Sequence, residues 1–195
     1  MKRVLNVGGN SKAIALPEAY ASFEHVLLDI DPAGKPDIVL DARELATLPA
    51  GGFDAVYCSH NLEHYFRHDV PRVLAGFLHV LSPGGFAQIR VPDIEELMRE
   101  TVSRNLDIDD VLYVSAAGPV MVLDVLYGHS PTIERSGGVD FFAHKTGFTR
   151  KSLSGAVARA GFGEQFCAQG NLEINLIAFK GTGDAQTRAL FGLQG

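Results

Sequence analysis

One stretch near the start of the chain decides the fold, Val4-Leu5-Asn6-Val7-Gly8-Gly9-Asn10. A short apolar run that ends in glycines is typical of a buried strand followed by a sharp turn, because glycine tolerates backbone conformations closed to other residues. Asp29 ends the next apolar run, about 20 residues further along, where an open α/β sheet places an acidic residue that binds ribose hydroxyls. Ligands of such sheets bind beyond the carboxyl ends of the strands. Taken alone, the glycines are compatible with an ordinary turn and Asp29 with a surface cap of the strand end; taken as a ligand site, the stretch predicts that it includes Gly8, Gly9 and Asp29.

Seven runs of residues have the composition of β-strands. The first five are short and almost wholly apolar, as expected of parallel strands that are covered on both faces. The last two are joined by the turn-rich segment 169–172, which suits an antiparallel hairpin. We therefore predict a doubly wound α/β fold with a mostly parallel sheet. The predicted strands are Arg3–Val7, His25–Asp29, Ile38–Leu40, Ala55–Ser59, Phe86–Val91, Glu164–Ala168 and Glu173–Lys180.

Three segments between these strands have the periodicity of helices. Apolar side chains recur at steps of three and four over residues 70–81. Asp93 and Glu96 resemble a capping box at the start of a second helix, and Thr149 and Gly161 are typical of the two ends of a third. The second helix is predicted to direct five side chains toward the core: Ile94, Leu97, Met98, Thr101 and Val102.

Length and composition restrict the class of protein. A chain of 195 residues with 46% hydrophobic and 21% charged residues is globular, and we expect a single domain over residues 1–183 with a C-terminal tail over 184–195. The segment 105–147 is the least readable, and we predict that it forms a lid or insertion beside the site. The net charge of −6 argues against a nucleic acid partner, which requires a basic surface.

The sequence also indicates where the protein works. It has no stretch that could span a bilayer, and its two cysteines are too few for a disulfide framework. We therefore expect a cytoplasmic protein without a membrane partner. The oligomeric state stays open.

Further motifs follow the first stretch in chain order, and the set resembles a known family. They are Asp41-Ala42, Ser59-His60 with Leu62-Glu63-His64, Leu81-Ser82-Pro83-Gly84-Gly85, and Val91-Pro92-Asp93. This order is similar to that of the class I S-adenosylmethionine-dependent methyltransferases, and closest to a group with Leu-Glu-His and Pro-Gly-Gly motifs. Later matches to that pattern are Tyr127-Gly128, His144-Lys145-Thr146-Gly147-Phe148 and Ala160-Gly161-Phe162. The resemblance covers nearly the whole chain.

The resemblance implies a fold, a cofactor and an activity. The fold is a Rossmann-like, seven-stranded sheet whose last strand is antiparallel, and the cofactor is S-adenosylmethionine. The activity is methyl transfer to an unidentified acceptor, which we expect to be a small molecule or a sugar. The cofactor-binding residues that the resemblance implies are Gly8, Gly9 and Asn10 for the amino-acid part, Asp29 for the ribose, Ile30, Asp41 and Ala42 for the adenine, and Ser59 and His60 for the cavity wall.

Two histidines are the predicted catalytic residues, His64 and His144, because both lie in the family-like motifs. Methyl transfer needs chiefly proximity and alignment, and a general base helps when the acceptor is a hydroxyl group. Histidine suits that role near neutral pH. The alternative for His64 is a structural hydrogen bond with Glu63 or with a backbone carbonyl.

A metal site is not expected from the histidine spacing. His60, His64 and His68 recur every four residues, so on a helix the outer two would lie roughly 12 Å apart. Zinc binds nitrogen at about 2.0–2.1 Å, and three histidines spaced in this way along one face cannot share one ion.

The glycine turn departs from the family pattern, which has glycines at the positions of Asn10 and Lys12 and an acidic residue at that of Asn6. Asparagine tolerates a left-handed backbone, so Asn10 is compatible with the turn, whereas Lys12 adds bulk near the expected cofactor. These departures motivate a second hypothesis, a catalytically inactive relative that binds or scaffolds. A nicotinamide-dependent oxidoreductase is a third, but it requires another glycine where Ala13 stands.

Overall fold

Strands and helices alternate along the computed structural model, which describes residues 1–116, 118–135 and 139–193. The strands are β1 (Arg3–Val7), β2 (Glu24–Asp29), β3 (Ile38–Val39), β4 (Phe53–Ser59), β5 (Leu81–Pro92), β6 (Val111–Ser115), β7 (Gly118–Met121), β8 (Gln165–Gly170) and β9 (Glu173–Phe179). The α-helices are α1 (Val70–Val80), α2 (Ile94–Ser103), α3 (Val122–Tyr127), α4 (Ser130–Arg135), α5 (Arg150–Ala160) and α6 (Ala185–Leu190). Short 3-10 helices lie at Glu18–Tyr20, Pro32–Gly34, Ala42–Thr47, Leu62–His64 and Asp140–Phe142.

Seven of the strands form one sheet, in the order β3-β2-β1-β4-β5-β9-β8. The strands from β1 to β5 pair in parallel, and β9 runs antiparallel to both of its neighbours. The predicted fold class is confirmed, and each of the seven predicted strands is present. The strand order reverses at β1 and β4, so the turn at Gly8 lies at the point of the sheet where ligands bind in folds of this kind.

Apolar side chains on both faces of the sheet form the core. In β1, Leu5 and Val7 lie on the face that packs against α1 and α5, and Val4 lies on the opposite face. All three are fully buried, as the apolar composition of the strand predicts. The opposite face packs against Tyr20, in the first 3-10 helix, and against Phe191, just after α6. The carboxyl ends of the central strands are thereby left for a site.

The predicted helix caps are present at α5 and only in part at α2. Helix α5 is capped by Thr149 and by Gly161, as predicted. Asp93 caps α2 by accepting hydrogen bonds from backbone N–H groups of the first turn. The predicted capping box does not close, because Glu96 Oε2 instead accepts a hydrogen bond from Leu172 N at 2.9 Å. The start of α2 is therefore tied to the turn between β8 and β9.

The predicted inner face of α2 is wrong in part. Leu97 is buried, but Met98 and Val102 are 57% and 80% exposed. The reason is that α2 packs along one narrow line, where Leu97 contacts apolar side chains of β6 and α3. Met98 and Val102 lie beside that line on the surface, so the apolar periodicity overestimated the width of the contact.

The two segments that the sequence left least defined contain regular structure. Residues 105–147 include the hairpin β6–β7 and the helices α3 and α4, and residues 184–195 include α6. Positions 117, 136–138 and 194–195 of these segments lie outside the described residues. The lid function of the first segment stays a prediction. Among the helices described, none combines the length and the apolar character needed to cross a membrane.

Candidate active site

The turn after β1 is shaped by its glycines and by Asn10. Gly8 has a φ of +73° and Asn10 a φ of +59°, so Asn10 adopts the left-handed backbone that the sequence predicted. A side chain at Gly8 would overlap that of Asn61, and one at Gly9 would overlap that of Asn6. Glycine is therefore required at both positions, because the Asn61 and Asn6 side chains occupy the space that a larger residue would need.

The Asp29 carboxylate ties this turn to the end of β2. Its Oδ2 accepts a hydrogen bond from Asn10 N and its Oδ1 one from Asp31 N, both at 2.9 Å. Lys12, which was expected to add bulk near the cofactor, instead forms an ion pair with Asp37, with 2.6 Å between Nζ and Oδ2. The altered glycine turn thus keeps a regular, hydrogen-bonded shape.

Two small cavities of about 200 and 180 Å³ lie beside this turn, and we call them the paired cavities. Four residues line both: Ile30, Asn61, His64 and Phe141. The larger is also lined by Gly8, Asn10, Asp29 and His60. Within the described part of the chain, the buried Oδ1 of Asn61 has no hydrogen-bond partner. That oxygen is available to accept a hydrogen bond from a ligand.

The predicted adenine-binding residues Asp41 and Ala42 differ in their surroundings. Asp41 lines the smaller of the paired cavities, but Arg43 holds its carboxylate, with 2.6 Å between Oδ2 and Nη2. Burial opposes ionisation of Asp41, yet the hydrogen bonds from Arg43 outweigh it and hold the pKa of this carboxyl below its usual range. Ala42 is the first residue of a 3-10 helix and is buried. Ser59 is the last residue of β4 and is only partly buried.

A third cavity, of about 550 Å³, lies next to the paired cavities, and we call it the large cavity. Its walls come from β5, the hairpin β6–β7, α3 and the turn between β8 and β9. The polar side chains that line it are His60, Arg90, Tyr113, Ser115, Asp124, His129, His144, Asn171 and Glu173. His60 also lines the larger of the paired cavities, so the two spaces meet at this side chain.

His60 joins two carboxylates across this boundary. Its Nε2 lies 2.9 Å from Glu173 Oε2, and its Nδ1 lies 3.5 Å from Glu63 Oε1. Burial lowers the pKa of His60, but the hydrogen bond to Glu173 and the nearby charge of Glu63 outweigh it and raise the pKa to about 9. Burial also opposes ionisation of Glu173, whose pKa is nevertheless lowered by its bonds to His60 and Arg90. Near neutral pH, His60, Arg90 and Glu173 are therefore charged and form a network of ion pairs.

The two predicted catalytic histidines lie together although they are far apart in the chain. The ring centroids of His64 and His144 are 5.0 Å apart. His144 Nδ1 lies 2.9 Å from Val125 O, and the two ring nitrogens of His64 lie 3.1 and 3.2 Å from Ala143 O and His60 O. These contacts with backbone carbonyls are the ones expected if His64 has a structural role and not a catalytic one. Burial lowers the pKa of His144, and the charge of Glu63 opposes this only in part.

The Glu63 carboxylate lies against these histidines in the interior. Glu63 is 1% exposed, and neither carboxylate oxygen has a hydrogen-bond partner among the residues described. His144 Nε2 is 4.0 Å from Glu63 Oε1. The side chain of His68, the third histidine of the four-residue series, is instead 79% exposed. The structure thus brings Glu63, His64 and His144 together and leaves His68 apart.

Sequence reasoning missed several residues of the site. Asn61 stands between His60 and the Leu-Glu-His motif, and its position beside a motif is a signal that could have found it. Arg90 and Glu173 meet only because β5 pairs with β9, with 2.9 Å between Nη2 and Oε2. The sequence does not state that register, so it held no signal for this pair.

Comparison with known families agrees with this arrangement. Residues 4–89 match the family model described as a methyltransferase domain. Residues 4–89 are therefore similar to a methyltransferase domain, and the sheet has the Rossmann-like fold of the class I methyltransferases. S-adenosylmethionine is the cofactor of this class of methyltransferases. A search of curated proteins finds no match to the sequence.

Solved structures of methyltransferases are similar in fold over more than nine-tenths of this chain. A SAM-dependent methyltransferase from Archaeoglobus fulgidus is 16% identical, with a TM-score of 0.59 over 92% of this chain and 86% of that chain. One from Thermotoga maritima is 14% identical, with a TM-score of 0.57 over 92% and 83%. The 1,6-didemethyltoxoflavin-N1-methyltransferase of Burkholderia thailandensis, solved with S-adenosylhomocysteine, is 16% identical, with a TM-score of 0.53 over 93% and 72%.

Proposed function

We propose that this protein transfers a methyl group from S-adenosylmethionine to a small polar acceptor. The observation that carries the proposal is that the paired cavities and the large cavity meet at His60. A methyltransferase needs adjoining sites for donor and acceptor, because proximity and alignment supply most of the rate. The family supplies the donor, and the large cavity is the place for the acceptor.

The residues around the paired cavities fit the cofactor. Asn61 Oδ1 needs a hydrogen-bond donor, which the ammonium group of S-adenosylmethionine would supply beside Gly8. Each Asp29 oxygen accepts one backbone N–H and has capacity for a second donor, such as a ribose hydroxyl. We assign the amino-acid part of the cofactor to Gly8 and Asn61, the ribose to Asp29, and the adenine to Ile30 and Asp41.

When bound, S-adenosylmethionine supplies a methyl group on a positively charged sulfur. The chain's own residues hold the acceptor and receive its proton. His144 Nδ1 donates to Val125 O, which leaves Nε2 as the atom that accepts a proton. The lowered pKa of His144 keeps this ring neutral at pH 7 and ready for that role. His64 packs edge-on against His144 and fixes the orientation of its ring.

The large cavity favours a small acceptor over a macromolecule. Its volume of about 550 Å³ lies within the range of small-molecule sites, roughly 300–1,000 Å³. Its walls offer hydroxyl groups, imidazoles and carboxylates from residues such as Tyr113, Asp124 and His129. Such groups suit an acceptor that carries several hydroxyl or amine groups, as a sugar does.

The catalytically inactive alternative rested on the altered glycine turn. Asn10 holds the left-handed backbone of that turn, and Lys12 is engaged with Asp37. Both observations favour cofactor binding over the inactive alternative.

Calorimetric titration with S-adenosylmethionine and S-adenosylhomocysteine tests the proposal, with NAD as the control ligand. We expect micromolar binding of the first two and none of NAD. Release of S-adenosylhomocysteine in a screen of small hydroxyl and amine compounds would then identify the acceptor. Failure of folded protein to bind either sulfur compound would contradict the proposal and support the inactive alternative.

The same titration on two aspartate variants distinguishes a direct contact of Asp29 with the cofactor from a role in holding the backbone. Asp29→Ala should weaken S-adenosylmethionine binding roughly 10- to 150-fold, because losing a charged hydrogen bond costs about 1.5–3 kcal/mol. Asp54→Ala is the matched control, since Asp54 also accepts a hydrogen bond from a backbone N–H, that of Arg3, and lies outside the walls of the paired cavities. Equal affinities in the two variants would remove Asp29 from the cofactor site.

A further inference from the structure

The cluster of Glu63, His64 and His144 has the composition of a metal site. One ligand atom from each residue lies within 4.8 Å of the other two. For a tetrahedral zinc site, ligand atoms about 2.0–2.1 Å from the ion lie roughly 3.3 Å apart. Glu63 Oε1 and His144 Nε2 are 4.0 Å apart, so these two atoms need to approach by less than 1 Å to share an ion. Three protein ligands of this kind leave a further position open.

The Glu63 carboxylate needs a positive partner more than any other described group of the site. It is 1% exposed, and both of its oxygens lack a hydrogen-bond partner in the part of the chain that the structure describes. A buried charge without a partner is strongly disfavoured, and such carboxylates are found paired or bound to metal. The nearest cation is His60, whose Nδ1 lies 3.5 Å from Oε1, beyond ordinary hydrogen-bond length. A metal ion among these residues would satisfy both the carboxylate and the imidazoles.

The histidines are held as metal ligands are held. The Nδ1 of His144 donates to Val125 O at 2.9 Å, which leaves a lone pair on Nε2, 4.0 Å from Glu63 Oε1. Bonding of the outer nitrogen to a carbonyl or carboxylate is the usual second shell of a metal-binding histidine. In His64 both ring nitrogens lie near carbonyl oxygens, although a neutral ring can donate through only one of them. The other nitrogen carries a lone pair that a cation would stabilise.

The backbone fixes the spacing of the cluster. Lys145 N donates to Glu63 O at 2.8 Å, and His144 N donates to Tyr127 O at 3.0 Å. These bonds join the segment after the last 3-10 helix to the Leu-Glu-His turn and to the end of α3. The cluster is therefore built by tertiary contacts, and no helical histidine series is involved.

We propose that Glu63, His64 and His144 bind one divalent first-row transition-metal ion, with Zn²⁺ as the preferred ion. Two imidazoles and one carboxylate suit zinc and iron, whereas Mg²⁺ and Ca²⁺ prefer sites built from oxygen ligands. His144 lines the large cavity and His64 lines the paired cavities, so the ion would stand between them. With the ion bound, His144 Nε2 would be a ligand and not the proton acceptor, and the ion would instead hold the acceptor oxygen in its open position, a role that rests on the proposed function. The metal site itself does not.

Binding of Co²⁺, a spectroscopic substitute for Zn²⁺, tests the site without any enzymatic activity. Protein freed of metal with a chelator is titrated with Co²⁺ while the visible absorption of the ion is recorded. We expect saturation at one ion per chain, displacement by one equivalent of Zn²⁺, and no competition from Mg²⁺. Zn²⁺ should also raise the thermal unfolding midpoint in a concentration-dependent way, because it binds the folded state.

Variants locate the ion. Glu63→Gln and His144→Ala should each lose at least tenfold in Co²⁺ affinity. Controls are His68→Ala, at an exposed ring, and His79→Ala, at a ring on α1 that bonds Leu48 O. The controls should bind as the unmodified protein does. In metal-free buffer, a cooperative unfolding transition of Glu63→Gln shows that the variant is folded.

Two results would overturn the metal proposal. The first is folded protein that takes up no Co²⁺ or Zn²⁺ at millimolar concentration, which would leave a proton on His60 as the partner of Glu63. The second is equal loss of affinity in the control variants, which would indicate adventitious surface binding. Parallel titration with S-adenosylmethionine distinguishes these outcomes from a failure of the proposed function.

Discussion

The side chain of Asn61 fills the space over Gly8 and lines both paired cavities, yet its buried Oδ1 lacks a hydrogen-bond partner among the described residues. An unmade hydrogen bond at a buried oxygen costs roughly 1–3 kcal/mol relative to a satisfied one. A fold that keeps this oxygen loses stability unless a ligand supplies the donor. Asn61 is therefore expected to favour ligand binding and to lower the stability of the ligand-free protein.

Asn61→Leu tests both expectations. Leucine has a similar volume without the oxygen, so the free energy of unfolding of the ligand-free protein should stay the same or rise. Affinity for S-adenosylmethionine should fall roughly 10- to 150-fold, because a hydrogen bond to a charged group contributes about 1.5–3 kcal/mol. Urea unfolding and calorimetry measure the two quantities. Asn61→Asp, which keeps an acceptor oxygen, is the control and should retain binding; a leucine variant that binds normally would exclude Asn61 from the cofactor site.

Single residues also show where sequence reasoning stops. Asn10 was predictable, because the left-handed turn that it occupies follows from its own chemistry and from its glycine neighbours. The proximity of Glu63 and His144 was not predictable, because it depends on the tertiary hydrogen bond by which Lys145 N donates to Glu63 O. Histidines spaced along one helix cannot share an ion, but Glu63 and His64 come from one segment of the chain and His144 from a distant one.

At the scale of elements, Asp124 holds the start of α3 and α4 together. Its carboxylate accepts hydrogen bonds from Met121 N, Ser130 N and Ser130 Oγ, each at 3.0 Å. Burial of Asp124 opposes ionisation, but these bonds outweigh it and hold its pKa below the usual range. Because α3 and His129, the residue before α4, line the large cavity, the order of this wall depends on the charge of one carboxylate.

The pH dependence of this wall follows from the direction of that shift. A carboxyl whose folded pKa lies below its unfolded value of about 3.9 stabilises the fold fully above that value, and the stabilisation is lost as pH falls through the folded pKa. Asp124→Asn should lower the free energy of unfolding by about 1.5–3 kcal/mol at neutral pH. The difference from the parent should be constant between about pH 5 and 7 and should shrink below about pH 4.

Urea unfolding at a series of pH values measures this difference. Asp109→Asn, at an exposed carboxylate of the same segment, is the control and should match the parent throughout. A difference for Asp124→Asn that grows as pH falls would contradict the assignment, because it would mean that the ionised carboxylate destabilises the folded wall.

At the scale of the whole molecule, the central sheet was predictable and its edges were not. Buried parallel strands such as β1 and β4 are mostly apolar, so composition alone locates them. The surface helix α2 also carries apolar side chains, Met98 and Val102, that no neighbour covers, and its pattern was read too broadly. The hairpin β6–β7 alternates only weakly between buried and exposed residues, so period alone could not identify it. Local chemistry fixes the sheet, whereas the walls of the site depend on tertiary packing.

The same division predicts that stability and binding can be changed independently across the molecule. Phe191 follows α6 and packs against Tyr20 and Phe86, with ring centroids 6.1 and 5.3 Å apart. The start of α6 borders Lys2 and Asp54, at the amino ends of β1 and β4, so this packing lies at the end of the sheet opposite the site.

Phe191→Ala should therefore lower the free energy of unfolding by about 2 kcal/mol, less than the roughly 3–5 kcal/mol of a fully buried phenylalanine, because Phe191 is only partly buried. Affinity for S-adenosylmethionine should not change, since the altered packing lies far from the paired cavities. Leu190→Ala is the matched control on the same helix, at a side chain that is 42% exposed, and should have a smaller effect on stability. Urea unfolding and calorimetric titration of both variants provide the comparison. A loss of cofactor affinity in folded Phe191→Ala would show that the two ends of the sheet are coupled, and equal destabilisation by both substitutions would show that the aromatic packing of Phe191 does not anchor α6.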